Sequence, residues 1–185
     1  KPKKGLFFIS VYKAKRSMKS PFIFTIALLL CQIAIANNGI DPNKKSVKAS
    51  EIQAAPIIDG VLDDPIWQNV LPATDFVQNR PNPGVPASSV SEVKIVYDNE
   101  GIYVGAMLHD MRPDSIQKEL SERDNLANTD WFGIIIDAYR DGINGFGFIV
   151  SASNVQFDTK YSTFGEDAGW DAVWESKVNI TSEGW

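Results

Sequence analysis

The chain has 185 residues and a formal net charge of −5, enough length for one domain with a proper core. The charge is unevenly spread: residues 1–36 hold seven of the 18 Lys and Arg side chains and none of the 23 acids, so the remaining 149 residues carry 11 bases against 23 acids, a net of −12. A body that acidic repels phosphate backbones and anionic lipid, which argues against nucleic-acid binding and leaves neutral ligands and divalent cations as compatible partners.

The start of the chain reads as a targeting signal. Met18-Lys19-Ser20 opens it, Phe22 to Leu30 is a short apolar run, and Ala34-Ile35-Ala36 is a small-x-small cleavage site. Residues 18–36 are therefore expected to be a Sec-type signal peptide. Residues 1–17 precede it as an over-extended start, and neither segment is expected in the fold. The only cysteine, Cys31, lies in this leader, so the body has no internal disulfide. Cleavage at Ala36 competes with lipidation at Cys31, where the preceding Leu30 is large for lipoprotein processing. Export places the protein in the periplasm, the outer membrane or outside the cell.

Residues 37–50, with Asn-Gly, Asp-Pro and three lysines, read as a linker. A first strand is expected over Glu51 to Ala55. Asp63-Asp64-Pro65 begins a short helix, with an acidic cap and Pro where its missing N–H costs nothing; it carries Trp67 into the core as a plug at one end of the domain. Thr74 to Gln78 is a short edge strand, and the proline-rich stretch from Arg80 to Pro86 is an irregular loop. Val93, Ile95 and Tyr97, then Ile102, Val104, Ala106 and Leu108, alternate on either side of Asp98-Asn99-Glu100-Gly101, which predicts an antiparallel hairpin. Pro113 to Leu120 has the caps and spacing of a short surface helix.

A second hairpin follows. Phe132, Ile134 and Ile136 share one face and Phe146, Phe148 and Val150 continue it after a turn-rich connection at 141–145. Val155 and Phe157 alternate with Gln156 and Asp158 in another strand, residues 163–171 form a Gly/Asp-rich loop carrying Trp170, and Trp174, Val178 and Ile180 make the inner face of a last strand. Seven or eight short strands, one or two short helices and frequent turns define an all-β antiparallel β-sandwich, jelly-roll-like, over residues 51–185.

An aromatic face that covers the C–H face of a pyranose, flanked by planar polar side chains for its hydroxyls, is what sugar recognition requires. Trp131 (opposite in parity to Phe132) and Trp170 are the candidate platforms, each with plain packing as the alternative. Arg123 and Asp124 are candidate hydroxyl partners, or else a structural pair pinning a loop. Asn154, Gln156 and Asp158 alternate with Val155 and Phe157 and are assigned to an outer face. Trp67 and Trp174 are assigned to the core. Glu166, Asp167 and Asp171 are a candidate calcium cluster, and Asp137 with Asp141 a second, without the ordered spacing of a helix-loop-helix calcium site. No Gly-x-Ser-x-Gly turn, phosphate loop or Cys/His metal motif is present, and His109, the only histidine, reads as a surface or loop residue.

Taken together, the segments Ile58-Asp59-Gly60-Val61-Leu62-Asp63-Asp64-Pro65-Ile66-Trp67, Val93 to Asp98 with Ile102 to Gly105, Arg123-Asp124 before Asp130-Trp131-Phe132, Asn144-Gly145-Phe146 with Phe148, and Trp170-Asp171 before Trp174-Glu175 resemble the family 9 carbohydrate-binding modules. The likeness covers about residues 50–185. It implies a β-sandwich that binds poly- or oligosaccharide, structural calcium in some members, and attachment to regions that hydrolyse O-glycosyl bonds in carbohydrate catabolism. It is similar in particular to the version at the N-terminus of large exported bacterial proteins that continue into an outer-membrane barrel-like region, with the last strands of the family fold missing here. The module itself is then expected to be non-catalytic, with any glycoside hydrolase activity in the parent protein. The alternative is a structural or interaction domain capping an outer-membrane β-barrel.

Overall fold

The computed structural model describes the backbone of residues 4–9 and all of residues 45–185. The expected signal peptide, and the linker up to residue 44, lie outside the described residues. Among those described, no helix is long and apolar enough to cross a membrane.

The fold is all-β and sandwich-like, as the alternation predicts. One sheet has the strand order β1-β5-β6-β7-β8, from Lys4–Ile9, Trp131–Ile136, Gly145–Ser151, Gln156–Ser162 and Gly165–Asp167. The other has the order β2-β3-β4, from Ser50–Glu51, Ser91–Tyr97 and Ile102–Leu108. Val93 and Ile95 of β3 meet Phe132 and Ile134 of β5 to form the main core, joined by Val104, Ile136, Phe148 and Val150. Both hairpins form in the register that puts these residues on one face, because a strand's side chains alternate and a slip of one residue would turn them all outward.

Several elements differ from the sequence reading. Val47 and Ala49 already pack against the core, so the folded part begins inside the expected linker. Residues 4–9, expected to precede the fold, run parallel to β5 with Phe7 opposite Ile134; the run Leu6-Phe7-Phe8-Ile9 has the composition of a strand, and the edge of β5 offers it a ladder. The helix expected over Pro113 to Leu120 is a single 3-10 turn at Pro113–Ser115. Beyond it Ile116 turns extended and buries itself, and the Gln117 carbonyl accepts the Asp130 N–H while the Gln117 N–H donates to the Asp130 carboxylate, which pulls the chain away from helical pairing.

Trp67 is buried, but not as an end plug. It ends the 3-10 turn Pro65–Trp67 and packs on the back of the smaller sheet with Val70 and Val96. Lys94, on the same face as Val96, donates to the Trp67 carbonyl at 2.7 Å. Gly105, opposite Lys94, leaves the room, since a Cβ there would come within 3.3 Å of the indole. At the other end of the sheet, Leu108 and Trp185 exchange backbone hydrogen bonds at 2.8 and 3.1 Å, and Trp185 joins the main core.

Candidate functional site

β8 pairs only with Lys160, Tyr161 and Ser162, so the first half of β7 has an open edge. Residues 123–124 fill it: the Asp124 N–H donates to the Gln156 carbonyl at 3.0 Å, and the Asp158 N–H donates to the Asp124 carboxylate at 3.4 Å. Asp124 takes a left-handed φ of 62° to do so, and Asn154, in the turn before β7, has a φ of 61°. Asp and Asn are the non-glycine residues that enter that region most readily, which is why a chain with this shape carries them here.

This loop brings the Arg123 guanidinium over the sheet. Its Nη1 donates to Gln156 Oε1 at 2.6 Å, and its Nη2 to the Asp158 carboxylate and to the Ala172 carbonyl. Asp158 is fully buried and is also bonded by the Ala172 N–H and, at 3.2 Å, by the indole N–H of Trp174. A buried carboxylate surrounded by donors of this kind is a fixed anchor rather than a free ligand.

Residues 171–180 run as an extended wall. They alternate strictly between half-buried and exposed, with no ladder partner among the described strands. Side chains of β7 hold this segment instead: Gln156 Nε2 donates to the Trp174 carbonyl and to Ser176 Oγ, both at 3.1 Å, and Ser176 Oγ donates to Asn154 Oδ1 at 3.1 Å. Between this wall and the 121–123 loop lies a cleft of about 600 Å³ lined by Arg123, Asn154, Gln156, Trp174, Ser176 and Lys177, among others. That volume is in the range of small-molecule sites.

Of the residues singled out in the sequence, the structure gathers Arg123, Asp124, Asn154, Gln156 and Asp158 at this corner. The outer face expected for Asn154, Gln156 and Asp158 is corrected for the last two: Gln156 pairs with Val150 and Asp158 with Phe148, so both lie on the face that carries the core. Parity within β7 fixed which residues group together, but only the register between strands decides where the group points. Trp174, expected in the core, is half-buried and lines the cleft, its ring edge-on to Phe148 at 5.5 Å. Ser176 and Lys177 were not singled out; the alternation from Ala172 to Ile180 is the signal that could have found Ser176.

Trp131 and Trp170 do not line the cleft. Trp131 is half-buried on the opposite face of β5 from Phe132. Trp170 is half-buried against Phe146, with ring centroids 4.9 Å apart. Glu166 and Asp167 are exposed on β8, where Glu166 accepts from Tyr161 and Asp167 from the Gly169 N–H. Asp171 instead approaches Arg123, at 3.9 Å. No group of three or more His, Cys, Asp or Glu able to hold a metal occurs among the described residues. Asp137 and Asp141 accept backbone N–H groups of their own turn.

No protein-family model, no curated protein and no solved structure matches the chain.

Proposed function

We propose that this domain is a non-catalytic carbohydrate-binding module of the family 9 type and that the cleft at Arg123, Gln156 and Trp174 is its glycan site. The observation that carries this reading is the convergence in one cleft of a guanidinium, two carboxamides and an indole. Planar donors and acceptors match adjacent sugar hydroxyls, and the exposed part of the indole offers an apolar surface to the C–H face of a pyranose. The acidic body favours a neutral poly- or oligosaccharide over an anionic one. The signal-like pattern of residues 18–36 supports export, and the family resemblance supports a role holding attached glycoside-hydrolysing regions near their substrate.

Glycan-array screening of the whole chain, followed by affinity electrophoresis in gels containing the best polysaccharides, tests the reading. Binding that is lost in Trp174→Ala is expected. No retention by any plant, algal or host glycan, or retention unchanged by that substitution, would sink it.

A further inference from the structure

We propose that the side-chain amides of Asn154 and Gln156 form a receptor for one sugar hydroxyl, and that the Ser176 hydroxyl fills it in the free chain as a built-in competitor. This role rests on the cleft reading above and adds what controls that site. Ser176 Oγ accepts from Gln156 Nε2 at 3.1 Å and donates to Asn154 Oδ1 at 3.1 Å. A hydroxyl held in this way uses both its donor and an acceptor lone pair. A secondary hydroxyl of a pyranose carries the same donor and lone pairs, so it satisfies the two amides equally well.

The receptor half is fixed from β7. Arg123 Nη1 donates to Gln156 Oε1 at 2.6 Å, which sets the amide with Nε2 toward the wall. Asn154 sits in the turn before β7, with its N–H on the Ser151 carbonyl at 2.8 Å. Groups positioned in advance give up little freedom when a ligand arrives. The occupant half is easily released. A serine hydroxyl leaves by one χ1 rotation. The other hydrogen of Gln156 Nε2, on the Trp174 carbonyl at 3.1 Å, stays where it is, so the wall keeps its place. All three side chains line the cleft, and the Ser176–Asn154 bond is exposed, so a ligand reaches it from solvent.

The sign of the effect follows. A ligand gains only the difference between the contacts it makes and those it displaces. Removing the Ser176 hydroxyl therefore tightens binding, whereas removing Gln156 or Trp174, which touch the sugar, weakens it. A hydroxyl of Ser176 that itself bound the sugar would give the opposite sign.

The experiment is isothermal titration of cellohexaose, xylohexaose and mannohexaose into the whole chain, Ser176→Ala and Ser176→Thr. Ser176→Ala is expected to bind about threefold more tightly than the unaltered chain, the scale of one neutral hydrogen bond. Ser176→Thr keeps a hydroxyl and is expected to match the unaltered chain. Three-bond couplings of Ser176 in the unaltered chain supply a second readout: one fixed χ1 when free, and averaging among rotamers once a hexaose saturates it.

Binding by Ser176→Ala that equals or falls below that of the unaltered chain overturns the competitor and leaves the cleft. So does a Ser176 χ1 unchanged at saturation, which decides alone if Ser176→Ala fails to fold. Tightening in Ser176→Thr as large as in Ser176→Ala traces the gain to packing of the wall and also overturns it. Binding seen only in Ser176→Ala supports both the competitor and the cleft. No binding of any hexaose by the unaltered chain or by Ser176→Ala overturns both.

Discussion

Arg123 donates to Gln156 across 33 positions of sequence, guanidinium Nη1 to amide Oε1 at 2.6 Å, and the same amide holds the backbone of Trp174 through Nε2. Loop, strand and extended wall are thus joined through two side chains. The groups suited to bind sugar hydroxyls are also the groups that shape the cleft.

Asp158 is the anchor of this arrangement. Asp158→Ala leaves the Arg123 guanidinium, the Ala172 N–H and the Trp174 indole N–H without their shared acceptor. Because Arg123 keeps water access, the expected loss is about 2–3 kcal/mol rather than the full cost of stranding a buried ion. Urea unfolding measures it; a loss under about 0.5 kcal/mol would place the carboxylate outside the support of the fold.

The two tryptophans next to β-strand faces should behave differently. Trp67 is 3% exposed, and Trp67→Ala is expected to cost about 3–5 kcal/mol. Trp174 is half-buried, so Trp174→Ala should cost about 1–2 kcal/mol while removing glycan binding. Denaturation midpoints with a binding assay on the same samples separate the two. Equal destabilisation would return Trp174 to the core.

Gly184 has a φ of 144°, and a Cβ there would overlap the Leu108 carbonyl oxygen. Gly184→Ala should therefore unseat Trp185 from β4 and cost at least about 2 kcal/mol. Hydrogen exchange at the Leu108 and Trp185 amides reads the change directly. Unaltered protection would contradict the tight approach.

The pair of hairpins was legible because Val93/Ile95 and Phe132/Ile134 alternate cleanly in strands with one face to the core. The polar cluster was legible as a grouping, since Gln156 and Asp158 share parity and Arg123-Asp124 is a compact charged pair. Its location was not. Nothing in residues 154–158 reveals that Asp158 pairs with Phe148, or that β8 stops short and leaves an edge for residues 123–124. Trp174 was misplaced for a related reason. Its segment alternates like a strand, but side-chain bonds from β7 hold it, so its inner face meets polar groups. Trp67 sits on the back of β3 because Val96 is buried there too, and a strand covered on both faces does not show its second face by alternation.

The turn at Asp141 gives a pH prediction. Hydrogen bonds from the Asn144 N–H, then the Asn144 side chain and the Ile143 N–H, hold its carboxyl below its ordinary value of 3.8. A depressed folded value means that the contribution to stability is complete above about pH 3.8 and is lost as pH falls through the folded value. Amide exchange at Ile143 and Asn144 should therefore accelerate only below that range. The acceleration should be absent in Asp141→Asn, whose turn is loosened at every pH. Acceleration at the same acid pH in that variant would detach it from Asp141.

Glycan binding at the cleft is tested most directly by isothermal titration of the best neutral oligosaccharide from the array into the whole chain, beside Trp174→Ala and Gln156→Ala. Saturable binding at the cleft is expected, weakened on the order of tenfold or more by each substitution while the near-ultraviolet circular dichroism stays that of the folded chain. Heat unchanged by either substitution, or no binding of any glycan by the folded chain, would contradict it.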